Sequence, residues 1–232
     1  MSHGLIPSAL DNPFWSSLAT HHASIAEGGP LARRYPAVFS SIAGLPALES
    51  ANVEALHALV AVGEDMSTAG PFVPKLRDDW QVLHESRLTQ MIRVDRTPLP
   101  EGDADVSILG PADVPDMLAL VHLTKPGPFR ARTIELGTYI GIRDAGRLVA
   151  MAGERMWIGN FREISALCTH PDARERGYGR ALAGRVVNRM LRAGETPFLH
   201  VESGNRRAID LYVALGFSRR AEYPLLHAQR IS

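Results

Sequence analysis

The chain is 232 residues long, 45% hydrophobic and 22% charged, a composition that suits one large or two small soluble domains with a substantial core. Residues 1–100 carry 7 Lys and Arg against 10 Asp and Glu, and residues 101–232 carry 18 against 15, so the two parts sit at −3 and +3 and lack the clustered basic face of a nucleic-acid binder. The single cysteine, Cys168, excludes an internal disulfide, no Cys/His spacing suits zinc, and neither a signal-peptide pattern nor an apolar run of membrane-spanning length occurs, so the expectation is a cytoplasmic protein with no metal, nucleic-acid or membrane partner.

In chain order, the periodicity predicts helices over residues 15–27 and 52–62, preceded by Asn12 with Pro13 and by Ser50 as caps. Residues 80–94 alternate poorly and fit either a strand pair or a helix. Thr97-Pro98-Leu99-Pro100 marks a linker, which divides the chain into an N-terminal extension, 1–100, and a C-terminal domain, 101–232. Beyond it come a short strand over 106–109, a helix over 112–123, a break at Lys125-Pro126-Gly127-Pro128 and a short helix over 132–136. Strands over 138–143 and 147–156 flank the hairpin signal Asp144-Ala145-Gly146, and a third strand covers 161–169. A helix over 177–192, a strand over 198–202 and a helix over 205–215 follow, and Gly216-Phe217 leads into a last strand pair. The fold class expected is α/β, a mixed sheet covered by helices.

The strand-turn-helix passage through residues 163–180 is the most informative segment. Glycines at 177 and 179 open directly into a helix, whose first N–H groups have no intrahelical partner and whose dipole favours an anion. Arg174, Arg176 and Arg180 add positive charge there. No third glycine follows at the Rossmann spacing, and no phosphate loop with Gly-Lys-Ser/Thr occurs, which argues against nucleotide hydrolysis.

Arg174-Glu175-Arg176-Gly177-Tyr178-Gly179 and the later run from Asn205 through Tyr212 to Leu215-Gly216-Phe217 resemble the two signatures of the GCN5-related N-acetyltransferases, in their FR47-like branch. The resemblance covers about residues 106–232. It implies the acetyltransferase fold, a mixed central sheet flanked by helices, and acetyl-CoA bound between the strands over 161–169 and 198–202. The main chain of Leu167, Cys168 and Thr169 would then face the pantetheine, with an N–H near Leu167 as oxyanion donor. Residues Arg174, Glu175, Arg176, Gly177, Tyr178, Gly179 and Arg180 would surround the diphosphate, with Asn205 and Tyr212 completing the site.

N-acetyl transfer needs a neutral amine, a polarised thioester carbonyl and a proton for the departing thiolate. The resemblance assigns the last to Tyr212. For the base it points to Glu163, eleven residues before Arg174, with Glu154 as rival and a water relay as a further alternative. The loop over 124–132 is placed at the acceptor, so Lys125, Phe129, Arg130 and Arg132 become candidates for binding an anionic or polar amine, such as one carrying a carboxylate. The extension 1–100 resembles the degenerate half of tandem acyltransferases in architecture alone, and the expectation is that it closes the acceptor side. The activity implied is acetyl transfer to a primary amine of a small molecule or peptide, with a homodimer as a possible assembly. The alternatives are an amino acid N-acyltransferase using another acyl-CoA and a noncatalytic acetyl-CoA-binding regulatory module.

Overall fold

The computed structural model describes residues 9–232. Its N-terminal part opens with a short helix α1 (Pro13–Ala19), in which Phe14 and Leu18 turn inward, then a small sheet of two-residue strands β1 (Glu27–Gly28), β2 (Arg33–Arg34) and β3 (Ala43–Gly44), and helix α2 (Ser50–Leu59). The helix expected over 15–27 therefore stops at Ala19. Two strands follow, β4 (Asp65–Ala69) and β5 (Trp80–Ile92), the second a single 13-residue strand where the sequence leaves a strand pair or a helix open.

After the linker come β6 (Ser107–Ile108), α3 (Val114–Thr124), β7 (Tyr139–Asp144), β8 (Arg147–Ile158), β9 (Phe161–Thr169), α4 (Tyr178–Arg192), β10 (Thr196–Glu202), α5 (Arg206–Ala214) and β11 (Ser218–Arg230). Eight strands form one mixed sheet in the order β4-β11-β5-β10-β9-β8-β7-β6. Strand β8 is buried along nearly its whole length, as its apolar run requires of a strand covered on both faces. It lies so close to β7 that any side chain at Gly153 would collide with the Tyr139 ring.

The strand pair expected after Phe217 is one strand. Strand β11 pairs antiparallel with β5 from Ser218 opposite Ile92 to Arg230 opposite Trp80, so its partner comes from far upstream and no hairpin forms. Residues on the two sides of the linker thus share the sheet, with β5 between β10 and β11.

Helix α4 covers one face, burying Leu182, Val186, Val187 and Met190 against Met91, Val149, Ile164 and Leu199. The opposite face packs Met156, Ile158, Phe198 and Leu88 under Leu10, Phe14, Leu18 and Tyr35 of the N-terminal part. Among the described residues, no helix is long and apolar enough to cross a membrane.

The shared sheet makes a testable demand. A fragment of residues 101–232 leaves β10 and β11 without the strand between them and is expected to show no cooperative thermal transition by circular dichroism, whereas the full chain shows one. A cooperative transition in the fragment would show instead that the C-terminal part folds alone.

Candidate active site

Strands β9 and β10 run parallel and pair only from Phe161 opposite Thr196 to Ile164 opposite Leu199. Beyond that rung they part. Strand β10 continues against β5 as far as Glu202 opposite Leu88, while β9 stays with β8. Facing edges of two strands are thereby opened inside the sheet, a position where backbone polar groups demand partners. Strand β9 also carries a bulge: Gly153 opposes Ser165 and Met151 opposes Cys168, leaving an extra residue on β9, with Ala166 left-handed at φ 53°. The bulge shifts the alternation, so Leu167 packs on the α4 side and Cys168 faces α3.

The fork opens into a cleft of about 590 Å³ between β9, the end of α3, the start of α4 and α5. Glu175 (φ 68°) and Gly177 (φ 77°) turn the backbone into α4, and Gly177 stands at the N-cap with no side-chain hydrogen bond to the helix. The first amides of α4 are thus left for solvent or a ligand. Arg174 and Arg180 line the cleft, and their side chains make no hydrogen bond or ion pair with any described residue. Arg176 turns away to the Asp144 carboxylate (2.9 Å) and the Asp172 carbonyl, and its side chain is not part of the cleft wall.

On the far wall, Asn205 caps α5, its Oδ1 accepting the Ala208 N–H at 3.1 Å. Tyr212 is 7% exposed, borders the cleft, and stacks edge-on against Phe217. Its hydroxyl has no hydrogen-bond partner among the described residues, and burial pushes its pKa up, with Glu163 and Cys168 adding to the shift. It stays a neutral phenol through the physiological range. The Cys168 thiol is pushed up to about 11 by burial, against a hydrogen bond with Thr124, so it is not a thiolate nucleophile.

Neither candidate base borders the cleft. Glu163 is completely buried, and both its oxygens are taken: Arg155 donates to them at 2.8 and 3.0 Å, the Met156 N–H at 3.4 Å, and His200 Nδ1 lies 2.9 Å from Oε1. Burial raises its pKa, but the Arg155 charge and the His200 hydrogen bond outweigh that and hold it at about 2. Both carboxylate oxygens are thus engaged beside the fork. Glu154 points to the other face, within 3.2 Å of Arg189 Nε, and burial raises its pKa against Arg189 and Arg162. Arg189 lies eleven residues into α4, roughly 16 Å along the helix from the loop.

The four residues of the acceptor loop are spread between the core, ion pairs and the cleft. Phe129 packs edge-on against Tyr139 at 5.5 Å in the core, Arg130 is paired with Asp65, and Arg132 pairs with Glu135 and lies over the Phe39 ring. Of the four, only Lys125 lines the cleft. The structure adds Thr124, Pro126, Ala173, Arg207, Ala208 and Leu211 to the wall. Ala208 and Leu211 lie on the apolar stripe of α5 in the sequence, where nothing distinguishes a side chain facing a cleft from one facing the core.

The family model described as FR47-like protein matches residues 139–225. A GNAT-family acetyltransferase structure from Novosphingobium aromaticivorans DSM 12444 is 31% identical, with 97% of this chain and all of that one covered and a TM-score of 0.88. A GCN5-related N-acetyltransferase from Kribbella flavida shares the fold at 13% identity, 96% of each chain and a TM-score of 0.63. One from Sphaerobacter thermophilus does so at 16% identity over 82% of this chain and 72% of its own, with a TM-score of 0.52. A search of the curated proteins finds no match.

Glu163→Gln tests the buried cluster. At neutral pH the variant is expected to lose about 3–5 kcal/mol in urea unfolding, because Arg155 is left buried without its counter-charge. Because the folded pKa lies below the ordinary 4.5, the carboxylate's contribution is complete above pH 4.5 and is lost as pH falls toward 2, so the gap between wild type and variant should close over that window. A gap independent of pH would refute the assignment.

Proposed function

The chain belongs to the GCN5-related N-acetyltransferase superfamily, in its FR47-like branch, and from that premise we propose that it moves an acetyl group from acetyl-CoA to the primary amine of a small molecule or peptide. The observation that carries this reading is the cleft itself: two arginines and a phenol without partners among the described residues, the uncapped start of α4, and the opened edge of β9.

The residues fit the donor in parts. The amides at the start of α4, with Arg174 and Arg180, suit a diphosphate, since both the dipole and the guanidinium favour anionic oxygens. The free edge of β9 at Leu167 and Thr169 suits an amide-bearing arm that takes the place of the missing strand neighbour. Acetyl-CoA supplies the activated acyl group.

In the reaction the amine nitrogen attacks the thioester carbonyl, a C–N bond forms, the C–S bond breaks, the ammonium proton leaves to water and the thiolate receives a proton. The Leu167 N–H is the proposed donor to the carbonyl oxygen as it gains charge. Tyr212, neutral and without a partner among the described residues, donates to the thiolate. With Glu163 engaged and Glu154 beside Arg189 in the last turn of α4, ordered water takes the amine proton.

Two measurements check this. Calorimetric titration with acetyl-CoA should show saturable binding that weakens by about tenfold or more in Arg174→Glu/Arg180→Glu, each charge-assisted contact being worth about 1.5–3 kcal/mol. A well-folded wild type that fails to bind millimolar acetyl-CoA would exclude the reading. Tyr212→Phe should lower kcat by about 10²-fold or more with the acetyl-CoA KM unchanged; an unaltered kcat would remove Tyr212 from the chemistry.

A further inference from the structure

Of the four side chains that the resemblance places at the acceptor, three are committed elsewhere. Phe129 is in the core and Arg130 and Arg132 are paired with carboxylates. Lys125 remains, and its ammonium has no hydrogen bond or ion pair with any described residue. It ends α3 in the left-handed conformation at φ 48°, a position that favours glycine, so a long side chain is retained where none is needed to close the helix. The preceding residue, Thr124, reaches the Cys168 thiol, which places this helix end beside Leu167 and the bulge.

Charge along the wall is one-sided. Among the described residues, the cations are Lys125, Arg174, Arg180 and Arg207, and the only carboxylate is Glu175, 4.0 Å from Arg207. The diphosphate accounts for Arg174 and Arg180. A polycationic amine would find no free carboxylate at the reacting end, while an amine carrying its own carboxylate would find one unpaired ammonium there.

We propose that the acceptor is a primary amine bearing a carboxylate, an amino acid or a short peptide, and that Lys125 recognises the carboxylate; the inference rests on the acyl-transfer reading above. Loss of such a charge-assisted contact raises KM by about tenfold or more.

The test is thioester loss from acetyl-CoA with the L-amino acids and a set of dipeptides, each as acid and as carboxamide, and with spermidine and kanamycin. Wild type should prefer the acids. Lys125→Gly, which the left-handed backbone tolerates, should raise KM for the acids about tenfold while leaving the carboxamides where they were, and Lys125→Arg should restore most of the preference. Turnover of carboxamides or polycations in preference to acids would overturn the inference, as would an acid preference that survives in Lys125→Gly, a weaker acetyl-CoA affinity as the variant's main defect, or no turnover of any acid by a protein that binds acetyl-CoA. Failure of wild type to bind acetyl-CoA at all is the separate result that removes the underlying reading.

Discussion

The architecture depends on the parting of β9 and β10 and on the charge cluster that holds its base. Parallel strands in the middle of a sheet stay paired unless each has another use for its backbone. Here β10 continues against β5 and β9 continues against β8, so each keeps one ladder while the edges between them come free. Glu163, opposite Phe198 one rung before the last, ties β9 to Arg155 of β8 and to His200 of β10. Its carboxylate is buried at high desolvation cost and stays ionised because two groups repay that cost in fixed geometry.

That arrangement links an N-terminal strand to a cleft it does not touch. Without β5, strand β10 would have no partner to follow away from β9. The N-terminal part also supplies the cover over Glu163 and His200: the Phe14 ring meets His200 edge-on at 6.0 Å, and Gln90 of β5 links His200 to the Leu10 carbonyl. The low dielectric this cover creates strengthens the ion pair it encloses.

A net charge of zero conceals a strongly polarised cleft. Most arginines are matched with carboxylates or carbonyls: Arg34 with Glu27 and Glu64, Arg143 with Asp113 and Asp116, Arg162 with Glu195. Arg174 and Arg180 have no partner among the described residues, and both line the cleft. Local pairing, and not the overall balance, decides where an anion is held.

What the sequence by itself determined is whatever local physics encodes. Strand β9 over 161–169 is expected and found at the same residues, and α4 and α5 lie within a residue of their predicted ends, because alternation, an apolar helical stripe, a cap at Asn205 and glycines at 177 and 216 are all short-range signals. The same signals set Arg174 and Arg180 at a helix start, and the structure puts both on the cleft wall. What only the tertiary structure decided is the direction in which a side chain is spent. Glu163 is on the expected strand, yet the face it points to depends on strand parity relative to a bulge at Ala166. Arg130 and Asp65 are 65 residues apart in the chain, and β5 and β11 are separated by more than a hundred residues, so their pairing leaves no mark in any local window. Periodicity records that a residue is buried or exposed; only the closed sheet selects which partner it meets, because that choice is made by contacts between segments whose separation along the chain carries no periodic signal.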